Sequence, residues 1–246
     1  MPPSISGHVQ STNEGDPVSL ADHVNTAARP GSLAPKWVNQ CLMHWAAKPL
    51  LFAGGCLPAL WLIWSAVNDQ LGANPAEALI RSLGDWSLRF LVIVLLVTPL
   101  RIWAGWPALA RMRRMAGLFV FFYASLHLLA YAWFDMEFVW GAVTEDVLKR
   151  PFILVGMMAW VLLLTMAATS FDRVIRAMGA RRWRWLHRSV YAVAALAVLH
   201  FFWMRSGKND FAEVAVYAAI LASLLGWRGW RSFMDTPRAP AKRPSR

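Results

Sequence analysis

The sequence predicts an all-α protein: a six-helix transmembrane bundle with both termini cytoplasmic. Three observations carry that expectation. Of 246 residues, 57% are hydrophobic and 16% charged, whereas soluble domains carry about 25% charged residues. Six apolar runs, at 49–67, 86–104, 115–134, 152–170, 186–204 and 211–227, approach the ~20 residues that a spanning helix needs. Finally, basic charge falls on every second connection.

That alternation explains the net charge of +11. Connection 101–114 holds Arg101, Arg111, Arg113 and Arg114 with no acid, and 171–185 sets five arginines against Asp172. The segment 228–246 is basic as well. In contrast, 67–85 is acidic overall (Asp69, Glu77 and Asp85 against Arg81), as is 135–150 (Asp135, Glu137, Glu145 and Asp146 against Lys149 and Arg150). The short 205–213 link is balanced. This is the positive-inside pattern of a multi-pass protein of a bacterial inner membrane. The charge is therefore a topology signal, and no nucleic acid partner is expected.

In chain order, residues 1–46 read as a tail, 47–230 as the six-span membrane domain, and 231–246 as a basic C-terminal tail. The first 35 residues are polar, rich in Ser, Pro, Gly and Asn, with no apolar core of a signal peptide before residue 49. They and 231–246 are expected to be disordered. The segment KWVNQCLMHWAAK at 36–48 suits a short interfacial helix. The third span, after Arg113–Arg114, is apolar all round except for Tyr123, Ser125 and His127, which places it centrally. The fifth carries Ala192, Ala194, Ala195 and Ala197, small enough to admit a neighbouring helix or a flat macrocycle. Trp residues cluster at span ends, as in an interfacial belt. Cys41 and Cys56 fall at the cytoplasmic leaflet, where a structural disulfide is not expected.

The chemistry points to histidines. His127, His187 and His200 lie in apolar runs, where an imidazole is costly and marks a pathway or a ligand. At 1.5 Å per residue, His127 lies ~20 Å from Arg114 and ~12 Å from Asp135. His200 lies ~24 Å from Arg184 and ~8 Å from Arg205. Their helices run in the same direction, so both reach similar depth in the outer half and can ligate one iron from opposite faces. His187 sits only ~5 Å from Arg184, at the cytoplasmic edge. On an ideal helix it would project ~140° away from His200. One haem is the expectation, with a second at His187 left open. No C-x-x-C-H motif is present, so the haem would be non-covalent, of b type. Arg89, at the outer end of the second span, and Arg188, at the inner end of the fifth, are candidates to neutralise propionates. Both also have an ordinary role as snorkelling side chains.

No G-x-G-x-x-G or Walker loop occurs, and the chain ends about twenty residues after its last span. Electron donor and acceptor are therefore expected to be other molecules. No hydrolase, metalloprotease or proton-pump constellation is present.

Several stretches together carry a resemblance: LGANP at 71–75, RFLVIVLLVTPLR at 89–101, RRMAGLFVFFYASLHLLAY at 113–131, RPFILVGMMAWVLLLTMAATS at 150–170 and RWLHRSVYAVAALAVLHFFW at 184–203. Over about residues 50–230 the chain resembles the ferric reductase-like transmembrane family and, within it, the MsrQ (YedZ) family. The resemblance implies the haem-binding membrane subunit of a periplasmic methionine sulfoxide reductase system. Its partner would be MsrP, a soluble molybdopterin enzyme that repairs oxidised methionine in proteins. Electrons would come from the quinone pool or from a cytoplasmic flavin donor, with FMN as an associated cofactor. His127, His187 and His200 match the family's haem-related histidines. Ferric reductases and NADPH oxidases place two histidines on the third span, but here the position 13 residues before His127 is Arg114.

The expectation is thus an electron-transfer subunit, a conduit embedded in membrane lipid, and not itself the catalytic subunit. The alternatives are a transmembrane ferric or cupric reductase and a non-redox membrane scaffold in which the histidines merely pack.

Overall fold

The computed structural model describes residues 36–207 and 209–234, so the expectations for residues 1–35 and 235–246 lie outside the described residues. Among the described residues every regular element is helical. Five helices are long and apolar enough to cross a membrane: Ala47–Val67, Pro75–Trp103, Arg113–Phe134, Pro151–Ala168 and Ala180–Ser206 taken through an internal turn. The sixth expected run forms a 23-residue helix, Ala212–Met234, which is not among those five.

The short helix α1 (Lys36–Met43) ends where the His44 Nδ1 accepts the Ala46 N–H at 3.2 Å. It leads into α2 (Ala47–Val67), which contains Pro58. The Tyr123 hydroxyl accepts the Ala59 N–H at 3.1 Å and donates to the Gly55 carbonyl at 2.7 Å. Those are the two groups of one i→i−4 rung. A side chain thus bridges the ladder beside the proline, a recognised way of bending a helix. A Cβ on Gly55 would lie 2.3 Å from the Phe119 ring, so α2 approaches its neighbour at that glycine.

Helix α3 (Pro75–Trp103) starts eleven residues before the expected span at 86. The physical cause is a helix-start signal in LGANPAE: the Asn74 side chain accepts the Glu77 N–H at 3.2 Å, and Pro75 sits at the first helical position. The 67–85 connection therefore contains three turns of helix carrying Glu77, Arg81, Gly84 and Asp85. A 3-10 turn (Pro107–Arg111) leads to α4 (Arg113–Phe134). The connection 135–150 also holds a helix, α5 (Trp140–Lys149), before α6 (Pro151–Ala168).

The fifth span is not one continuous helix. After α7 (Asp172–Met178), Gly179 takes φ 81° and opens α8 (Ala180–Leu186). A 3-10 turn at His187–Ser189 then precedes α9 (Val190–Ser206). The ideal-helix projection of His187 against His200 does not apply across such a turn. Helix α10 (Ala212–Met234) closes the bundle, with the Arg228 guanidinium donating to the Leu95 carbonyl at 2.6 Å and the Thr98 hydroxyl at 2.9 Å.

Two core clusters hold these helices. The larger joins α3, α4, α6, α9 and α10 through Leu91, Leu95, Val120, Leu163, Val193 and Leu221. The smaller ties α2 to α3 and α4 through Leu62, Leu83, Phe119 and Tyr123. Outward faces remain apolar, with Leu57, Leu60, Trp61 and Ile63 of α2 exposed, as suits a lipid-facing helix. The arginine-rich connections meet at one end, where Arg114 pairs with Asp172 at 2.6 Å. At the other end Arg205 pairs with Asp210 at 3.1 Å and Glu213 at 2.6 Å.

Candidate functional site

At that second end, α3, α4, α6 and α9 enclose a cavity of about 520 Å³, within the ~300–1,000 Å³ typical of cofactor sites. Leu88, Leu91, Val120, Leu163 and Val193 form its apolar floor, and His127 and His200 face each other across it. Their ring centroids are 6.2 Å apart, with ring planes at 86°.

Each histidine is held by the helix beside its own. The His127 Nδ1 lies 2.8 Å from the Ile80 carbonyl on α3, and the His200 Nδ1 lies 2.6 Å from the Phe152 carbonyl on α6. A carbonyl only accepts, so each Nδ1 carries the proton and each Nε2 keeps its lone pair. The same local design allows both contacts. Gly84 lies four residues beyond Ile80, and Gly156 four beyond Phe152, one turn along over the same carbonyl. A Cβ on Gly84 would lie 3.2 Å from the His127 Nδ1, and one on Gly156 2.8 Å from the His200 Nδ1. Glycine inside a helix costs about 1 kcal/mol relative to alanine. Here it opens the window through which each imidazole reaches its carbonyl.

This donor set fits a metal between two imidazoles. Metal–nitrogen bonds of about 2 Å, plus the ring radius of just over 1 Å, place the centroids of two opposed ligands ~6 Å apart. The 6.2 Å separation matches that geometry, and the surrounding apolar volume leaves room for a macrocycle. Among the described residues no group of three or more His, Cys, Asp or Glu side chains gathers as a metal cage.

The cavity mouth is polar. Arg81 and Arg150 line it together with Asn74, Asp85, Tyr131 and Asp135. Arg81 pairs with Glu77, Arg150 pairs with Asp146 at 2.7 Å, and the Tyr131 hydroxyl donates to Asp146 at 2.6 Å. Burial pushes the Asp135 carboxyl above its ordinary range, partly offset by the Arg150 charge and reinforced by Asp146 and Glu77.

The remaining sequence candidates lie elsewhere. His187 is at the opposite end, its ring stacked on Trp183 at 4.0 Å and its Nδ1 3.1 Å from the Trp183 carbonyl of its own helical segment. It does not line the cavity. Arg89 is exposed and lies over the Trp86 ring at 4.7 Å, and Arg188 lines a separate arginine pocket. Neither Arg89 nor Arg188 lines this cavity; the arginines that do are Arg81 and Arg150. The cause is rotational. Arg81, Gly84, Asp85, Leu88 and Leu91 follow the i, i+3, i+4, i+7 stripe, and Arg89 is ~100° off it. The Asn74–Pro75 start signal, read with that periodicity, would have found Arg81.

Comparison with known proteins follows the same lines. The family model described as the ferric reductase like transmembrane component matches residues 83–198. The chain is 60% identical over 203 residues to the protein-methionine-sulfoxide reductase heme-binding subunit MsrQ of Polaromonas naphthalenivorans (strain CJ2), covering 82% of this chain and 91% of that one. It is 51% identical over 181 residues to the same-named subunit of Bordetella pertussis, covering 74% and 87%. With that of Xanthomonas euvesicatoria it shares 44% over 204 residues, covering 80% and 92%. No solved structure matches.

Proposed function

This chain belongs to the MsrQ family of heme-binding subunits, and from that membership we propose that it is the haem b electron carrier of a protein-methionine-sulfoxide reductase system. It passes electrons through the inner membrane to a soluble periplasmic molybdopterin reductase of the MsrP kind. The observation that carries the reading is the pair of opposed imidazoles, His127 and His200, at 6.2 Å in an apolar cavity.

The roles divide as follows. His127 and His200 would hold the haem iron through Nε2, each oriented by its Nδ1–H bond to the Ile80 or Phe152 carbonyl. Fixing the second nitrogen of a ligating histidine sets its tautomer and raises its basicity. Leu88, Leu91, Val120, Leu163 and Val193 keep water from the floor of the site. Arg81 and Arg150 at the mouth supply positive charge for the carboxylates of the group, through charge-assisted hydrogen bonds. Haem, when bound, supplies the one-electron redox chemistry. The protein sets its position, ligands and electrostatics.

Six spans with both termini cytoplasmic place the cavity mouth, α5 and the acids Glu137 and Glu145 on the periplasmic side, where the partner docks. The basic connections then face the cytoplasm, in line with the positive-inside rule. The domain limits 47–230, and tails at 1–46 and 231–246, follow from the same reading. Donors are the quinone pool or a cytoplasmic flavin reductase, and FMN has no residues assigned to it here. One haem per chain is the proposal, because the His187 ring is stacked on Trp183 of its own segment.

The test is the reduced-minus-oxidised spectrum and haem-to-protein ratio of the purified protein, followed by mixing the reduced form with MsrP and a methionine sulfoxide substrate. A b-type signal near one haem per chain, reoxidised only when both partner and substrate are present, is the expected result. Reoxidation by ferric chelates alone at the same rate would make the chain a metal reductase instead.

A further inference from the structure

The end of the bundle away from the cavity carries a feature that electron transfer does not use. Helix α8 places Arg181 and Arg184 at i and i+3 of one stripe, with Arg182 and Trp185 on the adjoining one, and Arg188 follows in the 3-10 turn. These five residues line a concave pocket of about 550 Å³. None of the four guanidiniums is hydrogen-bonded or ion-paired to a described residue. The one acid of that connection, Asp172, is paired with Arg114 at 2.6 Å. Four cations thus line a hollow with no counter-charge among the described residues.

The geometry points to a binding site for the headgroup of an anionic phospholipid. Guanidinium forks match phosphate oxygens in bidentate fashion, and a cluster of them favours a ligand with full or multiple negative charge. Lipid, as opposed to a soluble phosphate, is indicated by position. The pocket opens where the apolar segment Ala180–Ser206 begins, and its aromatic member Trp185 is 75% exposed, with Phe171 of the same connection 69% exposed. Aromatic rings at that level meet the glycerol and upper acyl region of a bilayer. Basic pockets at the edge of membrane helices are suited to acidic lipid headgroups. The phosphate sits against Arg181, Arg184 and Arg188, and the glycerol region against Trp185. Occupancy offsets part of the cluster's charge beside the 3-10 turn from which α9 rises.

The test uses the full-length protein, delipidated in neutral detergent and titrated with short-chain diphosphatidylglycerol, phosphatidylglycerol or phosphatidylcholine. Bound lipid is read by native mass spectrometry and thermal midpoint. The expected result is one saturable anionic lipid per chain and no saturable phosphatidylcholine. Each arginine near an anionic surface is worth about fivefold, so Arg181→Ala with Arg184→Ala and Arg188→Ala lowers affinity on the order of a hundredfold. Arg184→Lys with Arg188→Lys keeps the charge and the fold but loses the fork geometry, and weakens binding by a smaller factor. Arg173→Ala with Arg176→Ala, a loss of two positive charges on α7, leaves it unchanged, whereas Arg184→Ala with Arg188→Ala, the same loss within the pocket, weakens it. Equal weakening by the α7 pair would overturn the site in favour of bulk attraction. Displacement of the lipid by inorganic phosphate at matching affinity would overturn the lipid assignment in favour of a small-anion site.

Discussion

Two ends of one bundle treat histidine differently. At the cavity end, His127 and His200 each bond through Nδ1 to a carbonyl of a neighbouring helix, 47 and 48 residues away in sequence. Their ring centroids are 6.2 Å apart across the cavity. At the arginine end, the His187 Nδ1 turns to the Trp183 carbonyl four residues back, and its ring stacks on that same tryptophan. All three sit in apolar runs. What separates the two proposed ligands from His187 is the element that holds the second nitrogen: a carbonyl of a different helix for His127 and His200, and one of its own segment for His187.

The largest effect expected from this contrast comes from the imidazoles themselves. His127→Ala or His200→Ala abolishes the b-type absorption, while His187→Ala retains it at full haem content. Spectra of the three variants decide the matter, and loss of haem with His187→Ala would erase the distinction between the ends.

The glycine windows come next. Alanine at 84 or 156 improves helix propensity by about 1 kcal/mol but intrudes on the ligand, and overpacking of a tight site typically costs ~1–3 kcal/mol. Gly156→Ala, with its Cβ at 2.8 Å from the His200 Nδ1, is predicted to lower haem retention more than Gly84→Ala, at 3.2 Å from the His127 Nδ1. Haem content and midpoint potential report it. If both variants are merely more stable, with unchanged potential, the windows have no role in orienting the ligands.

A smaller shift separates the arginines. Arg81→Gln or Arg150→Gln removes positive charge from the cavity mouth and lowers the haem potential on the order of tens of mV. Arg89→Gln and Arg188→Gln leave it unchanged. Redox titration of the four variants would sharpen the comparison, and a shift of equal size from Arg89 would return that residue to the site.

The smallest effect is a pH dependence. The Asp135 carboxyl is raised by burial, so it loses its proton above the ordinary carboxylate range. Its negative form favours the oxidised, more positive haem. The midpoint potential is thus predicted to fall as pH rises through that ionisation, with Asp135→Asn flattening the slope. A slope that survives the substitution would assign it to another group.

Sequence alone established the all-α class, the apolar runs and the matched depth of His127 and His200. Those depend on position along a helix axis, which composition and a fixed rise per residue determine. The tail beyond the membrane domain was legible only as composition. The early start of α3 was written in Asn74 and Pro75, and a reading guided by hydrophobic runs passes over polar turns of helix. Other features belonged to tertiary structure: the turn at His187–Ser189, the windows at Gly84 and Gly156, and the choice of Arg81 and Arg150 over Arg89 and Arg188. Each depends on how a helix is rotated about its axis and which neighbour it meets. Packing sets those quantities because a bundle settles them jointly across α3, α4, α6 and α9, and no single segment encodes its own lateral partner.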